Sequence, residues 1–312
     1  MDLALFGLNT VVPILIVVMT GYLLGRTGAV SDSANVDLSR LYSNVLLPCT
    51  MFSTAYGSNL RENLDFGFIG FCVAVYAATF VLACIIFPKG KDPGRSFVLN
   101  HAFYRNNIAI YGIALFERMF PGEDESNLAA AICIIIFINS VICEIQISRY
   151  GGRQLGTPFK RIFMSPLVIA GALGMIVSLA GLKLPQMITG AVDMMGKAAT
   201  AVAFLSLGVS LDFRSLKKCY KTLGWFMLVK LLLIPAAVEV LGCYVFGVHG
   251  SDTAVLLSLF ATPPAVVTFA VAKTNSSWTD SELANTLVAV PTLVSVLTLL
   301  VHIEFLGLLG AL

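Results

Sequence analysis

The chain has 312 residues, of which 57% are hydrophobic and 12% are charged, with a formal net charge of +2 and a mean hydropathy of +0.87. Charged residues make up about a quarter of a soluble globular domain, so this composition excludes that class, and the net charge gives no indication of nucleic-acid binding. A bilayer core about 30 Å thick needs about 20 apolar residues per helix, which leaves room for about ten spans and little else.

The hydropathy pattern predicts an all-α polytopic membrane protein. The spans are expected at about 5–25, 36–57, 66–87, 96–120, 126–147, 165–181, 186–211, 221–248, 252–272 and 283–310. Basic residues concentrate in the odd-numbered loops, whereas the even-numbered loops hold only Arg61 and Lys183. The positive-inside rule therefore places both termini on the outer side of the cell membrane, with the odd loops in the cytoplasm.

The two halves share a spacing of proline and glycine. Pro13-x7-Gly21-x6-Gly28 opens the first half, and the same spacing begins again at Pro166. This repetition predicts two five-helix units, over 1–150 and 164–312, joined by a basic cytoplasmic linker over 151–163. Because each unit has an odd number of helices, the second must be inverted, which is the plan of secondary transporters with a substrate site at the repeat interface.

Polar residues interrupt the fourth span near its middle. His101, Arg105, Asn106 and Asn107 lie in an otherwise apolar helix, and groups at that depth need protein partners because hydrocarbon supplies none. Arg105 could bind a substrate carboxylate, pair with a neighbouring acid or extend to the surface. His101 fits polar packing better than proton relay.

The ninth span carries Thr262-Pro263-Pro264 at the corresponding depth. Each proline lacks an N–H, which frees carbonyl groups one turn earlier to face a ligand. The alternative is a simple kink in a packed helix. Two interrupted helices in matching positions indicate a transporter site, and the helix N-termini after each break favour an anion.

Other ionisable residues within spans are candidates for ion coupling. Asp193 and Lys197 are four residues apart, so they either neutralise each other or couple an ion to transport. Glu144 lies close to the basic linker, where a surface ion pair competes with a coupling role. The seven cysteines sit singly, which predicts no metal site, and the absence of GxSxG or HExxH motifs predicts no enzyme.

The order of several short motifs resembles the auxin efflux carrier family, which includes plant PIN-type auxin carriers and bacterial malonate and malate permeases, within the superfamily of bile-acid/sodium symporters. The motifs run along nearly the whole chain: Gly21-Tyr22-Leu23-Leu24, Asn44-Val45-Leu46-Leu47-Pro48, Asn107-x4-Gly112-Ile113, Ser165-Pro166-Leu167, Ser206-Leu207-Gly208-Val209-Ser210-Leu211 and Ala261-Thr262-Pro263-x8-Ala272-Lys273. The short loop at 149–163 is typical of a compact, bacterial member.

The resemblance implies crossing, broken helices four and nine in a moving domain, with helices one, two, six and seven forming a scaffold that often dimerises. It places Asn107 on the family's substrate-contacting asparagine, with Asn139 and Thr50 facing the same site. Plant carriers have a proline at each crossing, where this chain has Ala114 and Thr268. The crossover is therefore expected to depend on Gly112, Pro263 and Pro264.

These observations together favour a secondary carrier of a small mono- or dicarboxylate, such as malonate, malate or an auxin-like acid, working by elevator-type alternating access. The expected site residues are Arg105, Asn106, Asn107, Thr50, Asn139, Thr262, Pro263, Pro264 and Thr268. The alternatives are a symporter coupled to Na⁺ or H⁺ with a different amphipathic anion, and a ligand-binding membrane sensor. No cofactor is expected, and the expected partners are the anion, the lipid bilayer and a second copy of the chain.

Overall fold

The computed structural model describes residues 3–57, 64–151, 165–211, 216–275 and 277–312, and these are helical apart from short connections. The helices are α1 (Leu3–Arg26), α2 (Asp32–Leu41), α3 (Leu47–Gly57), α4 (Phe66–Ile86), α5 (Pro93–Tyr104), α6 (Ile113–Met119), α7 (Ser126–Gly151), α8 (Pro166–Leu179), α9 (Gln186–Val209), α10 (Leu216–Met227), α11 (Ile234–Val245), α12 (Ser251–Leu256), α13 (Val266–Thr274) and α14 (Ser281–Leu308). Four π-helical turns connect some of them: π1 (Tyr42–Leu46), π2 (Ile108–Gly112), π3 (Leu228–Leu233) and π4 (Leu257–Ala261).

The segments expected to span the membrane are helical in the structure, with ends that differ by a few residues and with breaks at 105–107 and 262–265 in the fourth and ninth. Within the described residues, 5 helices are long and apolar enough to cross a bilayer: Phe66–Ile86, Ser126–Gly151, Gln186–Val209, Thr222–Val245 and Ser281–Leu308. Leu15–Arg26, Pro166–Leu179 and Ser251–Ala261 are shorter apolar helices. The all-helical, multi-pass class is therefore confirmed, while the linker predicted over 151–163 lies, apart from Gly151, outside the described residues.

Side-chain caps explain why several helices begin where they do. The Asp65 carboxylate accepts the backbone N–H of Phe68 at the start of α4, and Asp280 accepts that of Leu283 at the start of α14, both at 2.9 Å. Asp92 caps α5 in the same way, and Pro93 follows at the first helical position. Each cap satisfies an N–H that has no partner within its helix.

The glycines of the repeated spacing have matching structural roles. A Cβ on Gly21 would lie 2.2 Å from the backbone oxygen of Leu205, and one on Gly174 would lie 2.8 Å from that of Phe52. Helix α1 therefore packs backbone to backbone against α9, and α8 packs in the same way against α3. Gly28 and Gly181, with φ of 75° and 65°, follow the ends of α1 and α8 in the left-handed conformation that glycine favours.

Candidate functional site

The two interrupted helices meet at their breaks through the backbone. Residues 105–107 and 263–265 are extended and run antiparallel, because the Asn107 N–H donates to the Pro263 carbonyl at 2.8 Å and the Ala265 N–H donates to the Arg105 carbonyl at 3.0 Å. These bonds satisfy backbone groups that have left their helices, as an apolar surrounding requires. The break predicted at Pro263 and Pro264 lies where the sequence placed it.

Asn106 connects the first break to two other parts of the molecule. Its side-chain amide donates to the backbone oxygen of Leu259 in π4, and its oxygen accepts a hydrogen bond from Lys230 Nζ in π3. All of these groups are buried, and the Lys230 side chain is only 1% exposed. The sequence alone assigns Lys230 no role, because its partner Asn106 lies 124 residues away along the chain.

Asn107 is the residue of the break whose side chain lacks a partner. It is 4% exposed, and its Nδ2 is a buried donor with no hydrogen bond within the described residues. Its backbone is fully used, since its carbonyl accepts the N–H of Tyr111 at 3.0 Å. Opposite it, the Thr262 hydroxyl donates back to the Ser258 carbonyl at 2.9 Å. A buried amide without a partner costs free energy unless a ligand satisfies it.

Arg105, His101 and Thr268 form a chain of hydrogen bonds between the two interrupted helices. Arg105 Nη1 lies 3.3 Å from His101 Nε2, and His101 Nδ1 lies 3.0 Å from Thr268 Oγ1. Because a guanidinium only donates, Nε2 must accept, so Nδ1 carries the hydrogen and donates to Thr268. The three sequence-predicted residues are therefore brought together, with His101 neutral in this arrangement.

Gly112 and Ala114 lie after the first break rather than in it. Gly112 ends π2 and Ala114 is in α6, so both are helical, and the extended residues are 105–107. The extended segment thus ends at Asn107, five residues before Gly112, and a part for Gly112 in the crossover stays a prediction. A Cβ on Gly112 would lie 2.9 Å from the Cβ of Ser258, whose hydroxyl donates to the Gly112 carbonyl at 2.9 Å. Glycine at this position permits the close approach of π2 and π4.

Asn139 lies in a buried polar cluster beside α5. The Tyr76 hydroxyl donates to Asn139 Oδ1 at 2.6 Å. The Tyr104 hydroxyl donates to Gln146 Oε1 at 3.2 Å, and the Gln146 amide donates to Asn100 at 2.6 Å. The Tyr104 ring makes edge-to-face contacts with the rings of Tyr76 and His101. This cluster supports the last turn of α5, immediately before the break.

Thr50, Asp193 and Lys197 face a cavity of about 800 Å³ that lies between helices α1, α3 and α9 on one side and α6 on the other. Asp193 accepts a hydrogen bond from Ser53 at 3.3 Å and pairs with Lys197 at 2.8 Å. Thr50 donates to the Leu46 and Gly196 carbonyls. The structure therefore groups Thr50, Asp193 and Lys197 with Ala114 around this cavity, whereas the breaks themselves contribute no lining residue.

The cavity is acidic among its described lining residues. Five carboxylates line it, and two basic side chains do so: the acids are Glu117, Glu123, Asp124, Glu125 and Asp193, and the bases are Arg118 and Lys197. Burial, with the added repulsion of Glu117 and Asp124, raises the pKa of Glu125 in the loop before α7 to about 7. Glu144, in α7, is half-buried beside Cys143 and does not line this cavity.

A buried pair of ionisable groups, His302 and Glu239, contacts the backbone of π3 next to Lys230. His302 Nδ1 is 2.8 Å and 3.0 Å from the two carboxylate oxygens of Glu239, and His302 Nε2 donates to the Leu231 carbonyl at 2.8 Å. Both side chains are buried. The sequence alone does not pair Glu239 with His302, because they lie 63 residues apart along the chain. Their apolar surroundings were the signal that could have indicated a buried pair.

Long apolar helices, two of them interrupted at a buried polar site, define the class as a multi-pass helical membrane protein. A model of the family described as membrane transport protein matches the chain twice, over residues 6–156 and 153–303. The chain belongs to this family, that of the auxin efflux carriers, and is by that membership a transporter. Separate matches to the two halves fit the internal repeat.

Curated relatives support the same class. An uncharacterized transporter of Methanothermobacter thermautotrophicus is 25% identical over 299 residues, which cover 93% of this chain and 95% of that protein. The uncharacterized transporter YfdV of Escherichia coli is 22% identical over 303 residues, 91% of this chain and 93% of the relative. The mouse lysosomal cholesterol signaling protein is 24% identical over 283 residues, which are 81% of this chain but 32% of that longer protein.

Proposed function

We propose that this protein is a secondary carrier of a small organic anion, a mono- or dicarboxylate such as malonate, malate or an auxin-like acid. The observation that carries the proposal is the presence of two basic side chains at the paired breaks. Arg105 belongs to one break, and Lys230 bonds the adjacent Asn106. Within the described residues neither basic group forms an ion pair with a carboxylate.

Helix dipoles do not cancel this charge. Helix α5 and turn π4 direct their C-terminal ends at the breaks, while π2 and α13 begin there with their N-terminal ends. Each end carries about half an elementary charge of opposite sign, so the two kinds offset one another. The net charge of the empty site then comes from Arg105, and Lys230 is a second basic group that can become charged when an anion binds. An anion is therefore the ligand that would neutralise the site.

The amide of Asn107 supplies the second element of recognition. Its buried donor has no partner within the described residues, and a carboxylate oxygen is a natural acceptor for such a group. Thr268 and His101 connect Arg105 to the second interrupted helix, so binding at Arg105 would involve both halves. Asn139 and Tyr76 would support the site from behind, because their cluster packs on the end of α5.

The proposal extends to ten membrane-spanning helices in two inverted five-helix repeats, with the interrupted helices crossing at their breaks. The cavity supports an elevator-type movement. One wall comes from α1, α3 and α9, which pack on each other through small residues, and the other wall comes from α6, which continues from the first break. Displacement of the breaks along this boundary would expose the anion site to alternate sides. A homodimer formed by the scaffold helices completes the proposed arrangement.

Uptake into proteoliposomes tests the proposal. Labelled malonate, malate and indole-acetate are offered to the wild type, to Asn107→Ala and to Asn44→Ala, a control that removes an exposed amide from π1. We expect saturable uptake of at least one acid, reduced about tenfold or more in Asn107→Ala by loss of a hydrogen bond to a charged group, and unchanged in Asn44→Ala. Equal uptake by all three proteins would remove Asn107 from the site, and no uptake of any acid by folded wild type would refute the carrier proposal.

The acidic cavity favours a second candidate function, in which a cation that is coupled to transport binds at Asp193. Carboxylates outnumber basic groups there, and Asp193 is accessible from the cavity despite its pairing with Lys197. In that case Asp193→Asn abolishes sodium- or proton-driven uptake and leaves voltage-driven exchange of the anion. Lys197→Gln, which frees the carboxylate, is the matched variant and retains coupling.

The resemblance to part of a signaling protein supports a third candidate, a membrane sensor that binds its ligand without moving it. Calorimetry on the purified protein separates this candidate from a carrier. Saturable binding of an acid that is never taken up under any ion gradient would favour the sensor.

A further inference from the structure

Lys230 is a buried basic side chain beside the two breaks of the proposed anion site. It lies in π3, is 1% exposed and donates to Asn106 Oδ1. The Asn106 amide is a neutral acceptor, so it can satisfy one N–H of Lys230 without supplying any counter-charge. An ammonium in apolar surroundings is strongly disfavoured unless an opposite charge compensates it.

The groups packed around π3 do not provide that counter-charge. Helix α14 contributes His302 and helix α11 contributes Glu239, but these two bond each other. Whether the proton between them resides on nitrogen or oxygen, the pair has a net charge of zero. Turn π4 and the described side chains 222–227 of α10 contribute no ionisable group. Arg105, next to Asn106, is itself a cation.

We infer that Lys230 binds the carboxylate of the cargo directly and takes up a proton when it does so, which makes the protein an anion–proton symporter. This inference rests on the proposed function and identifies its coupling ion. In the empty site the side chain is the neutral amine, held by Asn106. When a carboxylate arrives, its charge stabilises the ammonium, which has three N–H donors. One can remain on Asn106 while the others bind the carboxylate.

The proton balance of the cycle follows from this assignment. On one side of the membrane, the neutral amine, one proton and one carboxylate combine into an ammonium–carboxylate pair without forming any covalent bond to the cargo. On the other side the carboxylate and the proton both leave, and the amine returns empty. Each turnover therefore carries one proton with one anion, and a monocarboxylate crosses without net movement of charge.

Proton uptake upon binding tests the inference on the wild type alone. The acid that is transported among malonate, malate and indole-acetate is added as its fully ionised salt to purified protein in weakly buffered detergent, with a pH-indicator dye. We expect about one proton removed from solution per bound anion. Saturable binding without proton uptake would overturn the inference and leave the carrier proposal intact, whereas failure of every acid to be transported would overturn both.

Substitutions then assign the proton to its residue. In Lys230→Arg the guanidinium stays charged at all working pH values, so we expect anion binding without proton uptake. Lys230→Met removes the charge, and we expect affinity to fall about 10- to 100-fold. Lys183→Met, at an exposed lysine, is the control and keeps both properties. Proton uptake that persists in Lys230→Arg would assign the proton elsewhere, with Glu239–His302 as the next candidate.

Discussion

The two breaks have the same backbone geometry but are built from different residues. The second contains Pro263 and Pro264, which cannot continue a helix whatever surrounds them. The first contains no proline, and its extended residues Arg105–Asn107 are held by hydrogen bonds to other parts of the protein. One break is therefore fixed by covalent structure, and the other depends on tertiary contacts.

Because of this difference, the second break sets the backbone geometry of the site and the first break provides its functional side chains. The second break supplies carbonyl groups and a fixed backbone, against which the first aligns. The first supplies the charge of Arg105, the amide of Asn107 and, through Asn106, the contact with Lys230. A site assembled in this way can change its side-chain partners on binding, while the proline segment preserves its geometry.

The largest expected effect on the free energy of unfolding is at Asn106, because its side chain holds the break that depends on tertiary contacts. Asn106→Ala removes the acceptor for Lys230 and the donor to the Leu259 carbonyl. Leaving these buried groups unsatisfied should lower the free energy of unfolding by about 3 kcal/mol. Denaturant titration in detergent measures it, with Asn44→Ala as the control. A loss below about 1 kcal/mol would mean that the first break does not depend on these contacts.

An intermediate effect is expected at Gly112, where the two interrupted helices approach most closely. Gly112→Ala places a Cβ 2.9 Å from the Cβ of Ser258, and the overpacking should cost about 1 to 2 kcal/mol. Gly70→Ala is the matched control, because a Cβ there meets nothing within 4 Å, and it should be neutral or slightly stabilising.

The same contact can be examined in a double-mutant cycle. Ser258→Gly removes the obstructing Cβ, so it should reduce the cost of Gly112→Ala when the two substitutions are combined. Strict additivity of the two unfolding free energies would show that the turns π2 and π4 do not press on each other here.

The smallest effect is expected at Pro264, in the break fixed by its prolines. The flanking bonds make Asn106 and Pro264 the non-hydrogen-bonded pair of the antiparallel contact, so this position needs no N–H. Pro264→Ala should therefore change the unfolding free energy by less than about 1 kcal/mol. If Pro264→Ala lowered the unfolding free energy as much as Asn106→Ala, both breaks would depend equally on single residues. That result would contradict the claim that only the first break depends on tertiary contacts.

Much of the fold could be predicted from the sequence, because hydropathy and proline chemistry act locally. Apolar runs placed the helices, and Pro263-Pro264 placed the second break. The repeated spacing also had a local cause, since Gly28 and Gly181 end their helices at positive φ. The polar residues at 105–107 coincide with an interruption, whereas Gly112 ends the helical turn that follows it.

What the sequence could not predict depends on contacts between distant segments. Lys230 reaches Asn106 only because π3 packs on π4 beside the first break. His302 meets Glu239 because α14 packs along α11. Thr50, which was expected to face the same site as Asn107, donates to the Gly196 carbonyl and lines the cavity. Periodicity shows which residues are unusual within an apolar helix, but it does not show which of them meet.

The backbone bonds between the breaks also have a consequence for biosynthesis. The Asn107 N–H and the Arg105 carbonyl find their partners in residues 263–265, which the ribosome makes more than 150 residues later. At about 5–20 residues per second, the first half waits about 10 to 30 seconds for them. During that interval its break must be held by water, by the insertion machinery or by temporary helix formation. The first break therefore forms its final backbone hydrogen bonds only after residues 263–265 have been synthesised.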